Sequence, residues 1–160
     1  MNWIERKMRE SVQHYNSKKY WDHRNKVISR ENKTPKIIKI FWLYKIKRTD
    51  AFNNASMGTH LNYGAIFSTP PNLPHGLYGI IISHNASIGK NCTIFHQVTI
   101  GEGPGGASTI GDNCLIGAGS KITGGIKIGN NVKIGTNCVV FEDIPDGATV
   151  VMNKPHILLQ

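Results

Sequence analysis

Residues 110–140 read Ile110-Gly-Asp-Asn-Cys-Leu-Ile116-Gly-Ala-Gly-Ser-Lys-Ile122-Thr-Gly-Gly-Ile-Lys-Ile128-Gly-Asn-Asn-Val-Lys-Ile134-Gly-Thr-Asn-Cys-Val-Val140. An aliphatic residue returns at every sixth position, and the same period runs upstream through Ile100, Ile94, Ile88 and Ile82. An α-helix repeats on a shorter, non-integral period, and a half-buried strand alternates. A six-residue repeat marks a parallel β-helix, in which short strands turn corners around one narrow core.

The positions of the hexad divide the work. The first is aliphatic and is predicted to point inward. The fifth is small or apolar (Ala86, Cys92, Val98, Cys114, Ser120, Ile126, Val132, Cys138) and is predicted to face inward as well. Cys92, Cys114 and Cys138 thereby become interior residues rather than nucleophiles or ligands. The fourth position is mostly Asn or Gly (Asn85, Asn91, Asn113, Gly119, Gly125, Asn131, Asn137), residue types that tolerate positive φ, so it is the predicted corner. Three hexads make one triangular coil, and successive coils stack about 4.8 Å apart. Between Ile100 and Ile110 the spacing is ten residues, so 101–109 is predicted to be a loop extruded without loss of register. Its Gly101-x-Gly103-x-x-Gly106 pattern matches a dinucleotide fingerprint only literally, because Pro104 lies inside it and no helix signal follows.

Outside the repeat, residues 1–59 read as a mainly helical arm. Trp3, Ile4, Met8 and Val12 recur at helical spacing, and Thr34-Pro35 reads as an N-cap followed by proline at the first helical position of a segment containing Ile37, Ile38, Phe41, Trp42 and Lys45. Pro70, Pro71 and Pro74 block helix in the following stretch. The expected organisation is an arm over 1–59, a β-helix over 60–145 with the 101–109 loop, and a tail over 146–160. Residues 1–60 hold 14 Lys+Arg against 5 Asp+Glu, whereas 61–160 hold 5 of each, so the whole net charge of +9 sits in the arm. A basic arm suits a solvated helical face or contact with an anionic surface. No nucleic-acid motif with its own spacing is present, and nucleic acid is not an expected partner. No signal-peptide pattern or apolar span is visible, which with three cysteines predicts a cytoplasmic protein with reduced thiols.

Pro74-His75-Gly76-Leu77-Tyr78-Gly79-Ile80, the segment Ile88–Gly101 and the segment Ile110–Ile122 resemble the hexapeptide-repeat acyltransferases. The branch indicated is the serine acetyltransferase-like group, which includes O-acetyltransferases of capsular and other surface glycans. The resemblance covers roughly residues 58–155. It implies an all-β fold, a left-handed parallel β-helix with a short N-terminal helical arm. It also implies a homotrimer with active sites between subunits, and acetyl-CoA as donor without a metal. The left hand comes from the resemblance alone, since the general crossover preference is right-handed.

By that resemblance His75 matches the catalytic histidine, a base that takes the proton of an attacking hydroxyl. His96, third in its hexad, is the alternative base, and His84, also third, is predicted on a different face. Backbone N–H groups of Gly76 or Gly79 are candidates for the oxyanion. Tyr78 and Glu102 are expected at the acceptor. Gly117, Ala118, Gly135 and Thr136 match positions that hold CoA through backbone groups, with Lys133 and Lys154 as phosphate partners. A zinc site, known for carbonic anhydrases of this fold, needs three converging ligands. His75, His84 and His96 show no close pair in sequence, which leaves symmetry-related chains as the only route to one.

The chain departs from the serine-specific members at four points. Pro74 stands where they have Asp, the 101–109 loop lacks their Arg-His pair, His60 replaces the Asp that orients the histidine, and the helical arm is shorter. The leading expectation is therefore an acetyl-CoA-dependent O-acetyltransferase acting on a sugar or surface-glycan precursor. Its alternatives are serine O-acetyltransferase and, from another class, a catalytically silent trimeric scaffold. The arm further suggests peripheral contact with the inner membrane face.

Overall fold

The computed structural model describes residues 2–153. Strands of two to five residues stack into three parallel faces. The first face holds Ser56–Met57, Ile81–Ile82, Thr99–Gly103, Lys121–Thr123 and Val139–Val140. The second holds Ile66–Phe67, Ser87–Ile88, Thr109–Ile110 and Lys127–Ile128, and the third holds Thr93–Ile94, Leu115–Ile116, Lys133–Ile134 and Thr149–Val150. Ile110 pairs with Ile128 on one side and Ile88 on the other, so three hexads close one coil and the extra residues of the loop leave the register intact. The chain is the left-handed β-helix that the repeat and the resemblance together predict. Parallel pairing extends past 60–145 on both sides, from Ser56 to Val150.

Every first-position residue from Ile82 to Val140 is buried, and so is every fifth-position residue from Ala86 to Cys138. Two inward side chains per hexad fill the prism, so the small thiols of Cys92, Cys114 and Cys138 sit in the core as free cysteines. The fourth position makes the turn at Asn91, Asn113, Asn131, Asn137, Gly119 and also Gln97, all with φ between 54° and 74°. Asn85 does not take positive φ, and at the 124–125 corner the left-handed residue is Gly124 rather than Gly125. Along one corner the amides form a ladder: Asn91 Nδ2 donates to Asn113 Oδ1 and Asn113 Nδ2 to Asn131 Oδ1, each at 3.3 Å.

Three helices precede the solenoid: α1 (Trp3–Val12), α2 (Ser17–Ile28) and α3 (Lys36–Phe52). Asn2 and Glu5 form a reciprocal capping box on α1. The third helix begins one residue later than Thr34-Pro35 predicts. Pro35 is itself the N-cap, its carbonyl accepting from Ile38 and Lys39 N–H, while Thr34 N–H is turned to Asn32 Oδ1. Arg24 of α2 fastens the arm to the first coil. It is fully buried, with Nε donating to Thr59 Oγ1 at 3.1 Å and Nη2 to the carbonyls of Met57 at 3.0 Å and Ala65 at 2.6 Å. Its guanidinium lies 4.7 Å from the Phe67 ring centre. Beside it Tyr20 OH donates to Asp50 Oδ1 at 2.6 Å. Burial raises the Asp50 carboxyl to about 6 and lowers the Arg24 guanidinium to about 10.

Candidate active site

The corner between the third and first faces is a stack of four turns. Gln97 N–H donates to Tyr78 O at 3.0 Å, Gly119 N–H to His96 O at 3.0 Å and Asn137 N–H to Ala118 O at 2.8 Å. His75 lies at the start of this column, in the irregular turn closed by Gly76 N–H to Leu73 O. The stack therefore sets His75 beside His96, their ring centres 4.9 Å apart and their planes at 84°. The sequence shows no such close pair, because a 21-residue separation crosses a turn that the hexad count does not cover. His96 is half-buried at this corner rather than on an open coil face, and its Nδ1 is buried without a hydrogen-bond partner among the described residues.

A cleft of about 390 Å³ opens over the two histidines, lined by Val12, Gln13, Phe52, Asn53, His75, Tyr78 and His96. Four of these seven come from the arm, held there by Asn53 Nδ2 donating to Gln13 O at 2.9 Å and by His14 packed on Phe52. Neither a carboxylate nor an ammonium group lines this cleft. A second cleft of about 380 Å³ shares Tyr78 and continues up the corner past Asn54, Gly79, Gln97, Gly119, Lys121 and Asn137. Its floor is built for close approach: a Cβ on Gly79 would come within 3.0 Å of Gln97 Cγ. Lys121 Nζ donates to Gln97 O at 2.7 Å. Three side-chain amides and one ammonium along a narrow groove match the amides and phosphates of a pantetheine nucleotide such as CoA.

The predicted residues divide accordingly. His75, His96 and Tyr78 share the first cleft, and Gly117, Ala118, Gly135 and Thr136 belong to the same corner column. Lys133 lies outside both clefts, on a third-face strand, and Lys154 lies outside the described residues. Glu102 is also away from His75. It accepts from Asn85 Nδ2 at 2.9 Å and from Ser83 Oγ at the corner between the first and second faces, which lowers its carboxyl below the usual range. The loop carrying it is a β-hairpin pairing Glu102 with Ala107 and Gly103 with Gly106. His84 shares that corner, 4.0 Å from Glu102, with His60 edge-on at 5.1 Å and stacked on Tyr63 at 4.7 Å. His84 and His96 thus occupy different corners, as the register predicts. Position 60 does not reach His75 within one chain. Among the described residues, no group of three or more His, Cys, Asp or Glu side chains is arranged to hold a metal.

The repeat family described as "Bacterial transferase hexapeptide (six repeats)" matches residues 107–142. Over that stretch the chain carries the repeat of the hexapeptide transferases. Its relatives include the serine acetyltransferase of Staphylococcus epidermidis, 40% identical over 129 residues that cover 74% of this chain and 60% of that protein. The serine acetyltransferase of Staphylococcus aureus (strain Mu50) is 41% identical over 107 residues, covering 64% of this chain and 50% of that one. The chain thus spans between half and three-fifths of the length of these curated relatives. Among solved structures, Neisseria gonorrhoeae serine acetyltransferase in complex with serine superposes with a TM-score of 0.60 at 32% identity, covering 75% of this chain and 48% of that one. Entamoeba histolytica serine acetyltransferase isoform 3 in complex with cysteine superposes with 0.64 at 27% identity, covering 76% and 43%.

Proposed function

We propose that this hexapeptide-repeat protein moves an acetyl group from acetyl-CoA to a hydroxyl, with His75 as general base. The observation that carries the reading is the pair of clefts meeting at Tyr78: a histidine-bearing chamber continuous with a narrow amide-lined groove. Acetyl-CoA lies along the Gln97–Gly119–Asn137 corner with its thioester toward His75, and Lys121 takes the role expected of Lys133 toward phosphate. The acceptor hydroxyl gives its proton to His75 and attacks the thioester carbonyl. The tetrahedral oxyanion collapses and expels the CoA thiolate, which takes up that proton. His96, with its free buried Nδ1, is placed to bind the acceptor or to hold the His75 ring.

Serine is the acceptor best supported by the relatives, which are serine acetyltransferases, and this reverses the order of preference expected from the sequence. One observation favours the glycan reading: the His75 chamber offers no charged group for serine's ammonium or carboxylate. A homotrimer reconciles the two. With active sites between subunits, the corner bearing His60, His84 and Glu102 of one protomer brings the Glu102 carboxylate to the His75 chamber of the next. The site then acts in the cytoplasm, and the arm suits peripheral contact with the inner membrane face. No described helix is long and apolar enough to cross a membrane. Thiol release from acetyl-CoA measured against serine and a panel of sugars decides the acceptor. Turnover with serine alone supports the serine reading and overturns the glycan one, and turnover with sugars alone does the reverse.

A further inference from the structure

The arm's first helix leaves its apolar stripe exposed. Its polar edge, Arg6, Arg9, Glu10 and Gln13, faces the protein's own body across a narrow cleft that reaches Leu73 and Gly76. A Cβ on Gly76 would come within 2.9 Å of Gln13 Oε1, which fixes how closely that edge approaches. The apolar stripe points away: Trp3, Ile4, Met8 and Val12 are 65, 62, 64 and 73% exposed, and α1 buries none of its residues. An amphipathic helix that folds onto its own protein does the opposite. On α3 a second outward patch is formed by Ile37, Ile40, Phe41 and Tyr44, between 42 and 73% exposed, around a shallow hollow with no polar lining. Lys45 Nζ stands 4.4 Å from the centre of the Phe41 ring at its edge.

Charge selects the occupant of these surfaces. Residues 1–60 carry 14 basic and 5 acidic residues, a net +9. Packing the arm of one copy against the arm of another would bring two such charges together. An anionic bilayer accepts both properties at once, since apolar side chains enter the headgroup boundary while Lys and Arg stay with the phosphates. We propose that the arm docks on an anionic membrane surface through the Trp3–Ile4–Met8–Val12 stripe and the α3 patch. Val12 ends the stripe and also lines the His75 cleft, so docking sets the mouth of that cleft at headgroup level. A lipid-linked glycan acceptor would then offer its hydroxyl from the membrane surface. This consequence rests on the acetyl-transfer reading, whereas the docking itself does not.

The test is co-sedimentation of the full chain with phosphatidylglycerol–phosphatidylcholine vesicles, without donor or acceptor. Wild type is expected to partition onto them, to be released by high salt and to bind pure phosphatidylcholine far less. Ile4→Glu/Met8→Glu is expected to lose about tenfold or more in partition. Phe41→Glu, on a separate helix, is expected to lose binding in the same direction and keeps the test open if the double variant does not fold. Equal partition of folded variants and wild type overturns the proposal, as does equal binding to neutral vesicles. An oligomer that dissociates on Ile4→Glu/Met8→Glu without vesicles also overturns it, since the stripe then belongs to a second copy. Thiol release with a soluble acceptor separates the two readings. A variant that leaves vesicles but keeps turnover supports docking, and a wild type that binds vesicles without turnover refutes only the acetyl transfer.

Discussion

Arg24→Ala is the perturbation with the most to say about how the arm makes the site. Arg24 donates three hydrogen bonds to the first coil, two of them to the main-chain carbonyls of Met57 and Ala65, and has no solvent exposure. A hydrogen bond from a charged donor contributes about 1.5–3 kcal/mol, and an acceptor left buried without a donor costs about 1–3 kcal/mol. Removing the buried cation's own desolvation cost offsets part of this, and breaking a buried charge arrangement typically costs about 3–5 kcal/mol. The loss falls on the arm rather than on the coils. All three tryptophans, Trp3, Trp21 and Trp42, lie in the arm, so their fluorescence reports the arm and, through Trp21 on Phe67, its seat on the coil, while far-UV circular dichroism in the strand region reports the solenoid. With a urea dependence of about 2 kcal/mol per molar, the fluorescence midpoint is expected to fall by roughly 2 M while the strand signal shifts much less. Turnover falls with the arm, because Val12, Gln13, Phe52 and Asn53 leave the cleft. A fluorescence midpoint within experimental error of wild type would refute the claim that Arg24 fastens the arm.

Three further outcomes follow from the same structure. Asn113→Ala, at φ 57° and in the amide ladder, is expected to cost roughly 1–2 kcal/mol in a thermal or urea melt, with Asn113→Gly recovering most of the backbone part. Asp50 is expected to titrate near 6 by carboxyl NMR. Because its folded pKa lies above the ordinary carboxylate value of 3.8, its contribution of roughly 3 kcal/mol is present in full below pH 3.8 and is lost as pH rises through 6. A midpoint at 3.8 removes this contribution, and one below 3.8 reverses its sign. Lys121→Ala is expected to raise KM for acetyl-CoA several-fold with little change in kcat, and Lys133→Ala to leave both unchanged.

The solenoid was legible because one backbone period encodes it. Ile82 to Val140 fix the inward positions, and asparagines at the fourth position announce corners by their tolerance of positive φ. The period says which side chains point outward but not which corner they share. Lys121 and Lys133 occupy the same hexad position, yet two hexads put them on different faces, and only Lys121 lines the groove. Glu102 lies apart from His75 within one chain for a related reason: a hairpin paired to itself turns its carboxylate onto Ser83 and Asn85. The arm's share of the cleft left no local signal. Val12, Gln13, Phe52 and Asn53 reach His75 through tertiary contacts, among them the Arg24 hydrogen bonds to residues 33 to 41 positions away. The helical spacing of Trp3, Ile4, Met8 and Val12 predicted a helix correctly. It could not say that the apolar side would face outward.

The central claim is that His75 removes the acceptor's proton during acetyl transfer, and the most direct test compares thiol release from acetyl-CoA by wild type and His75→Ala. Saturating acceptor is used, and acetyl-CoA binding is checked separately by calorimetry. The account predicts a rate at least about a hundredfold lower with donor affinity retained, the range a positioned base contributes. Full turnover by His75→Ala would contradict it.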